Sequence, residues 1–101
     1  MNTTEVTMVR VYLTEAEAHL ETMMKRLHDW EKVKGVTVFR GISGFGQSGD
    51  MHSAALLDLA FNLPVVIEFF DEPEKVEKIL EHLRKEIEPG HIVSWNARVN
   101  T

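Results

Sequence analysis

The chain has 101 residues, 16 acidic against 11 basic side chains for a formal charge of −5, 44% hydrophobic residues and no cysteine. That length fits one domain with no interdomain cleft, and the absence of thiols excludes disulfide scaffolds, cysteine-ligated metals and thiolate catalysis. Cations cluster no further than Lys25-Arg26 and Arg84-Lys85, which gives nucleic acid no footing, and with neither a signal-like opening nor a membrane-length apolar run the chain reads as soluble and cytoplasmic.

Val6 to Leu13 alternates, with Val9, Val11 and Leu13 on one face and Arg10 and Tyr12 on the other, and so predicts a strand. Thr14, with Glu17 three residues on, reads as a capping box. Leu20, Met23, Met24, Leu27 and Trp30 then recur at helical spacing, predicting one helix to about Val33 with these residues in the core. Gly35 to Arg40 is β-branched and aromatic, a second strand. Leu63 to Phe70 predicts a third, with Pro64 at its start because proline cannot donate a ladder hydrogen bond. Asp71 reads as the N-cap of a helix carrying Val76, Ile79, Leu80, Leu83 and Ile87 inward and ending at Pro89-Gly90. His91 to Val99 predicts the last strand, with His91 facing solvent.

The order is βαβ twice, which predicts an α+β, ferredoxin-like βαββαβ sandwich over residues 1–101: a four-stranded antiparallel sheet with both helices on one face. On the other face the expected residues are Tyr12, Phe39, Val66, Phe70 and Ile92, mixed with Arg10, Glu68 and Arg98. That face is too apolar for solvent and predicts a homo-oligomer packed sheet against sheet around a closed axis.

The connection over residues 41–62 is far longer than an ordinary hairpin loop and predicts function. Gly41, Gly44, Gly46 and Gly49 would give it access to positive φ and let the backbone approach a ligand, making an anion site from N–H groups. Gly44, Gly46 and Gly49 also match the dinucleotide pattern, but that reading needs a parallel βαβ unit, and the flanking strands here are expected to be antiparallel. His52, Ser53 and Asp58 do not make a nucleophilic set, because no glycine elbow surrounds Ser53 and adjacent residues rarely bring hydroxyl onto imidazole. His52 is left open between a ligand contact and a hydrogen bond within the loop.

The Val-Tyr-Leu opening, Gly35 to Gly46 with its core Arg40-Gly41-x-x-Gly44-Phe45-Gly46, the downstream Met51-His52-Ser53, and Asn62 to Glu68 carry a resemblance over nearly the whole chain. It resembles the domain of unknown function 190 family of small bacterial and archaeal PII-like proteins, relatives of the nitrogen-regulatory PII signal proteins. The resemblance implies a homotrimer in which the long connection corresponds to the T-loop and a small anionic effector, an adenine nucleotide, sits between subunits. The T-loop would dock on a partner such as a membrane transporter. The ligand-binding set it implies is Arg40, Gly41, Gly44, Phe45, Gly46, His52 and Ser53 from the loop, Pro89 and Gly90 before the last strand, and Arg98 reaching a phosphate or else pairing with Glu68. The chain departs from true PII proteins in two places: Glu88-Pro89-Gly90-His91 stands where they carry a glycine- and lysine-rich triphosphate loop, and the long connection has no tyrosine to be uridylylated.

The expected role is therefore non-enzymatic signalling, with no catalytic residue, metal or cofactor assigned. Two alternatives share the fold. One is an acylphosphatase-like hydrolase holding phosphate with Arg40, weakened by the lack of an activated nucleophile or base beside it. The other is a metal-tolerance trimer, weakened by scattered histidines.

Overall fold

The computed structural model describes residues 1–46, 52–53 and 62–101. Its elements in chain order are β1 (Thr3–Thr14), α1 (Glu15–Ala18), α2 (Leu20–Lys25), a π-helical segment (Arg26–Trp30), β2 (Val36–Arg40), β3 (Ser43–Gly44), β4 (His52–Ser53), β5 (Pro64–Asp71), α3 (Pro73–Leu83) and β6 (Ile92–Asn100). The main sheet has the order β2-β5-β1-β6 with every pairing antiparallel, the split βαβ topology of a ferredoxin-like fold. The twelve-residue β1 is central and pairs on both sides, setting Val9 opposite Phe69 and Ser94.

The core lies between the sheet and the helices. Val9, Val11, Val65, Ile67 and Phe69 come from alternate strand positions and meet Ala18, Met23, Leu27, Val76, Ile79, Leu80 and Leu83. Each of the larger side chains, fully buried, contributes about 1.5–3 kcal/mol. The Thr14–Glu17 capping box forms: Glu17 N–H donates to Thr14 Oγ1 at 3.4 Å and Thr14 N–H to Glu17 Oε1 at 2.9 Å.

The helices differ from expectation in three ways. The first is not continuous. His19 adopts a left-handed conformation (φ 45°) that separates α1 from α2, and the chain then widens into a π-type turn in which Glu31 N–H reaches Arg26 O at 3.0 Å. The wider turn carries Trp30 off the apolar stripe, so the tryptophan expected in the core is 80% exposed. Second, α3 stops at Leu83, and turns through Glu86 and Ile87, both donating to Leu83 O, fill the stretch to Pro89. Third, the N-cap of α3 is Glu72. Asp71 is instead the last residue of β5, on the core face, where Oδ1 accepts from Glu72 N–H at 2.8 Å and Oδ2 lies 2.9 Å from Lys75 Nζ without hydrogen-bond alignment.

The open sheet face is apolar, but its membership changes at β6. The register sets Ile92 opposite Val11 and Arg98 opposite Glu5, which turns Ile92 toward the helices and into the core, and Arg98 to the same side. Val93 and Trp95 therefore join Tyr12 and Phe39 on the open face, and these four side chains are 42–47% exposed. Glu68 is not paired with Arg98. It accepts from Arg10 Nε at 2.8 Å, and the Arg10 guanidinium sits 5.8 Å from the Trp95 ring centroid.

Candidate functional site

At one end of the sheet the chain leaves β2, enters β5, finishes β1 and begins β6, and these four points surround a concavity of about 380 Å³. Its walls are Tyr12, Leu13 and Thr14 from β1, Glu17 from α1, Gly41 and Ser43 to Gly46 from the start of the long connection, Pro64 to Val66 from β5, and Gly90 with His91. The volume lies within the usual range for small-molecule pockets, and the lining is mainly apolar with a few polar groups.

Short backbone links fix this geometry. Gly41 N–H donates to Pro64 O at 2.7 Å, continuing the β2–β5 ladder one step past its end. A side chain at Gly41 would have its Cβ 2.8 Å from Pro64 Cγ and 3.3 Å from Pro64 O, and one at Gly44 would meet Pro64 Cγ at 3.3 Å. Close packing thus calls for glycine at position 41 and favours it at 44, rather than the positive φ expected from the sequence. Of the described glycines only Gly90 takes that conformation (φ 94°), at the turn into β6. Beyond Gly41 the connection folds back, β3 pairing with β4 so that Ser43 faces Ser53 and Gly44 faces His52. β4 occupies His52–Ser53, and Gly49 and Asp58 fall outside the described residues.

On the opposite wall Tyr12 N–H donates to His91 O at 2.8 Å, and His91 Nδ1 meets Tyr12 O at 2.7 Å. The histidine expected to face solvent is tied into the site, with Nδ1 as the donor because its partner is a carbonyl. Asn62 Oδ1 accepts from Ala16 N–H at 3.0 Å and Leu63 O from Glu15 N–H at 3.0 Å, anchoring the end of the long connection on α1.

The pocket thus brings together Gly41, Gly44, Phe45, Gly46 and Gly90 of the expected set, and the backbone of His52 and Ser53 runs beside it through β4. Arg40 is adjacent in sequence but points to the helix side, where Nε lies 3.1 Å from Glu15 Oε1. Pro89 lines a neighbouring groove with Arg84, Ile87 and Ser94. Arg98 is six strand positions beyond Ile92, about 20 Å from this end of the sheet. Among the described residues of the wall the only carboxylate is Glu17, and no lysine or arginine lines it. Tyr12, Thr14, Pro64, Val66 and His91 were missed in the sequence. They are strand-end residues that meet only through the sheet order, and the signal was available in the ββ junctions that this order brings to one edge.

The comparisons with known proteins agree with this architecture. Residues 6–99 match the family model described as Uncharacterized ACR, the DUF190 family. One UPF0166 protein of Aquifex aeolicus is 30% identical over 92 residues, covering 91% of this chain and 94% of that protein. Another stretch of similarity to a UPF0166 protein of the same organism is 40% identical over 52 residues, spanning 52% of this chain and half of the relative's length. Among solved structures the fold is similar to CPII, a nitrogen regulatory PII-like protein from Thiomonas intermedia K12 bound to ADP, AMP and bicarbonate, with a TM-score of 0.76 and 23% identity over 99% of this chain and 92% of that one. With a family match that reaches all four strands of the main sheet, the chain belongs to the DUF190 family, and its fold is similar to that of PII-like proteins.

Proposed function

We propose that the chain is a PII-like regulatory protein that assembles as a homotrimer, holds a small anionic effector in the clefts between subunits, and presents residues 41–62 to a partner such as a membrane transporter. The observation that carries this reading is the pocket at the sheet end, whose wall is the first turn of the long connection, so a ligand there contacts the segment that would signal. The CPII structure, bound to ADP, AMP and bicarbonate, supports an adenine nucleotide as the effector class. The apolar open face supports the trimer, because four large, half-exposed side chains call for a cover.

Among the described residues no lysine or arginine lines the wall, which fits a shared site. One subunit supplies the apolar and backbone half, and the charge on the effector must be met by residues from the loop or a neighbour, the candidates being Arg40, His52, Ser53 and Arg98. Pro89 and Gly90 border the second side of that cleft. The acylphosphatase-like alternative is weakened because the acidic partner beside Arg40, Glu15, is ion-paired with it and so is not poised as a general base. Isothermal calorimetry with ADP, AMP and bicarbonate, beside sedimentation of the free protein, tests the reading. Binding to a trimer with altered proteolysis of the 41–62 segment is the expected result. A monomer, or no heat with any of the three, overturns it.

A further inference from the structure

A second concavity, of about 470 Å³, lies on the outer helix layer, away from the sheet end, and is lined by Thr22, Lys25, Arg26, Trp30, Glu31 and His82. Three features mark it. The π-type turn that forms its edge is a rare local geometry, frequent at functional sites. Lys32, just beyond, is a non-glycine residue at φ 55°, a conformation costing about 1–2 kcal/mol in an L-residue, held in place by Lys75 Nζ donating to Lys32 O at 2.6 Å. And a tryptophan is left 80% exposed, although its ring could bury far more area in the core.

The polar groups around that indole are ordered. The Glu31 side chain is 9% exposed, with Oε2 2.9 Å and Oε1 3.2 Å from His82 Nδ1 and Oε2 3.9 Å from Arg26 Nε. Arg26 is also ion-paired with Glu86. A carboxylate has about four acceptor sites, so Glu31, which lines the concavity, keeps spare capacity. Lys25 lines the same space as an exposed ammonium. A staple between the helix layers would need only the Arg26, Glu31, His82 and Glu86 network. It explains neither the exposed indole nor the strained backbone at Lys32.

We propose that this concavity is a second ligand site, which takes a planar aromatic molecule carrying an acidic group and an amine. The ring stacks on Trp30, the acid meets Lys25 and the amine donates to Glu31. The site is independent of the sheet-end pocket.

Ligand-observed saturation-transfer NMR tests it with 4-aminobenzoate as the probe, benzoate lacking the amine and aniline lacking the acid. The expected result is transfer to 4-aminobenzoate that exceeds both analogues, falls at least about fivefold in affinity in Trp30→Ala, and is largely restored in Trp30→Phe, in line with ring stacking measured by alanine substitution. Lys25→Gln should reduce the advantage over aniline, and Glu31→Gln the advantage over benzoate. Because Trp30 is exposed, its replacement leaves the core intact, which far-UV circular dichroism verifies. Equal signals from wild type and Trp30→Ala, or no transfer to 4-aminobenzoate at millimolar concentration, overturn the proposal. Neither outcome bears on nucleotide binding at the sheet end.

Discussion

Replacing Gly41 by alanine adds a single methyl group, and the structure sets the size of the response. The new Cβ would stand 2.8 Å from Pro64 Cγ, closer than real Cβ contacts, and 3.3 Å from Pro64 O, the acceptor of the 2.7 Å bond from Gly41 N–H. A proline ring cannot swing aside as the end of a lysine could, so either the β2–β5 ladder opens at its last step or β5 shifts at its entrance. Overpacking of this kind costs about 1–3 kcal/mol. For a domain near this size each kcal/mol lowers Tm by about 4–8 °C. Gly46→Ala and Gly35→Ala are the matched controls: nothing lies within 4 Å of either Cβ position and neither backbone is left-handed. These two should leave stability unchanged or raise it by about 0.4–1 kcal/mol through the unfolded chain. Adding Pro64→Ala to Gly41→Ala removes Cγ while leaving the 3.3 Å contact with the carbonyl, so it should recover part of the loss. The double-mutant coupling should fall in the range of about 0.5–3 kcal/mol seen for contacting residues. Thermal unfolding followed by circular dichroism gives all five values. A Gly41→Ala protein as stable as Gly46→Ala, or a loss that Pro64→Ala does not relieve, would refute the packing argument.

Three further outcomes are expected. His19→Gly should raise stability by about 1 kcal/mol, because glycine occupies φ 45° without the Cβ clash of histidine; chemical denaturation measures it, and a decrease would show that the His19 side chain holds the kink. Burial pushes the Asp71 carboxyl up, but the close Lys75 ammonium, the Glu72 N–H and the charge of Lys34 outweigh it and bring the pKa below the ordinary carboxylate range. With the folded value below the unfolded one, the carboxylate's stabilisation is complete above about pH 4 and is lost as pH falls through the lower folded value. Asp71→Asn should therefore cost about 1–3 kcal/mol at neutral pH and flatten the stability profile below pH 4, checked by denaturant titration across pH. Trp95→Glu places a charge on the open sheet face, so for the proposed trimer sedimentation equilibrium should report monomers in place of the wild-type assembly; an unchanged mass would refute this face as the interface.

The strands could be read from the sequence because a half-buried strand writes its burial in a period of two. Val9, Val11 and Leu13, and Val65, Ile67 and Phe69, needed no tertiary information. For β6 the alternation was also plain, but alternation alone does not say which set faces inward. That was decided by pairing with β1, at the far end of the sequence, and Ile92 and Arg98 changed sides with it. The break at His19 and the widened turn before Trp30 left no trace in residue spacing, since Leu20, Met23 and Leu27 fit an unbroken helix equally well. At the candidate site, the glycines and the length of the connection pointed to the end of the sheet where the concavity lies. The orientation of Arg40 was also within reach: it shares parity with Val36 and Val38, which pack on the core, so its side chain had to leave on the helix side. His91 and Tyr12 were hidden because their meeting depends on two chain segments that touch only in the finished sheet.

The bond from Gly41 to Pro64, with Asn62 and Leu63 moored on α1, closes the long connection at its base independently of what lies between. Once both ends are held, lengthening the intervening chain adds only loop entropy, about 0.6 kcal/mol for each doubling. The scaffold can therefore exchange this segment as a cassette. Different insert sequences could be trialled against different targets on one unchanged body, and the fold would register almost none of it.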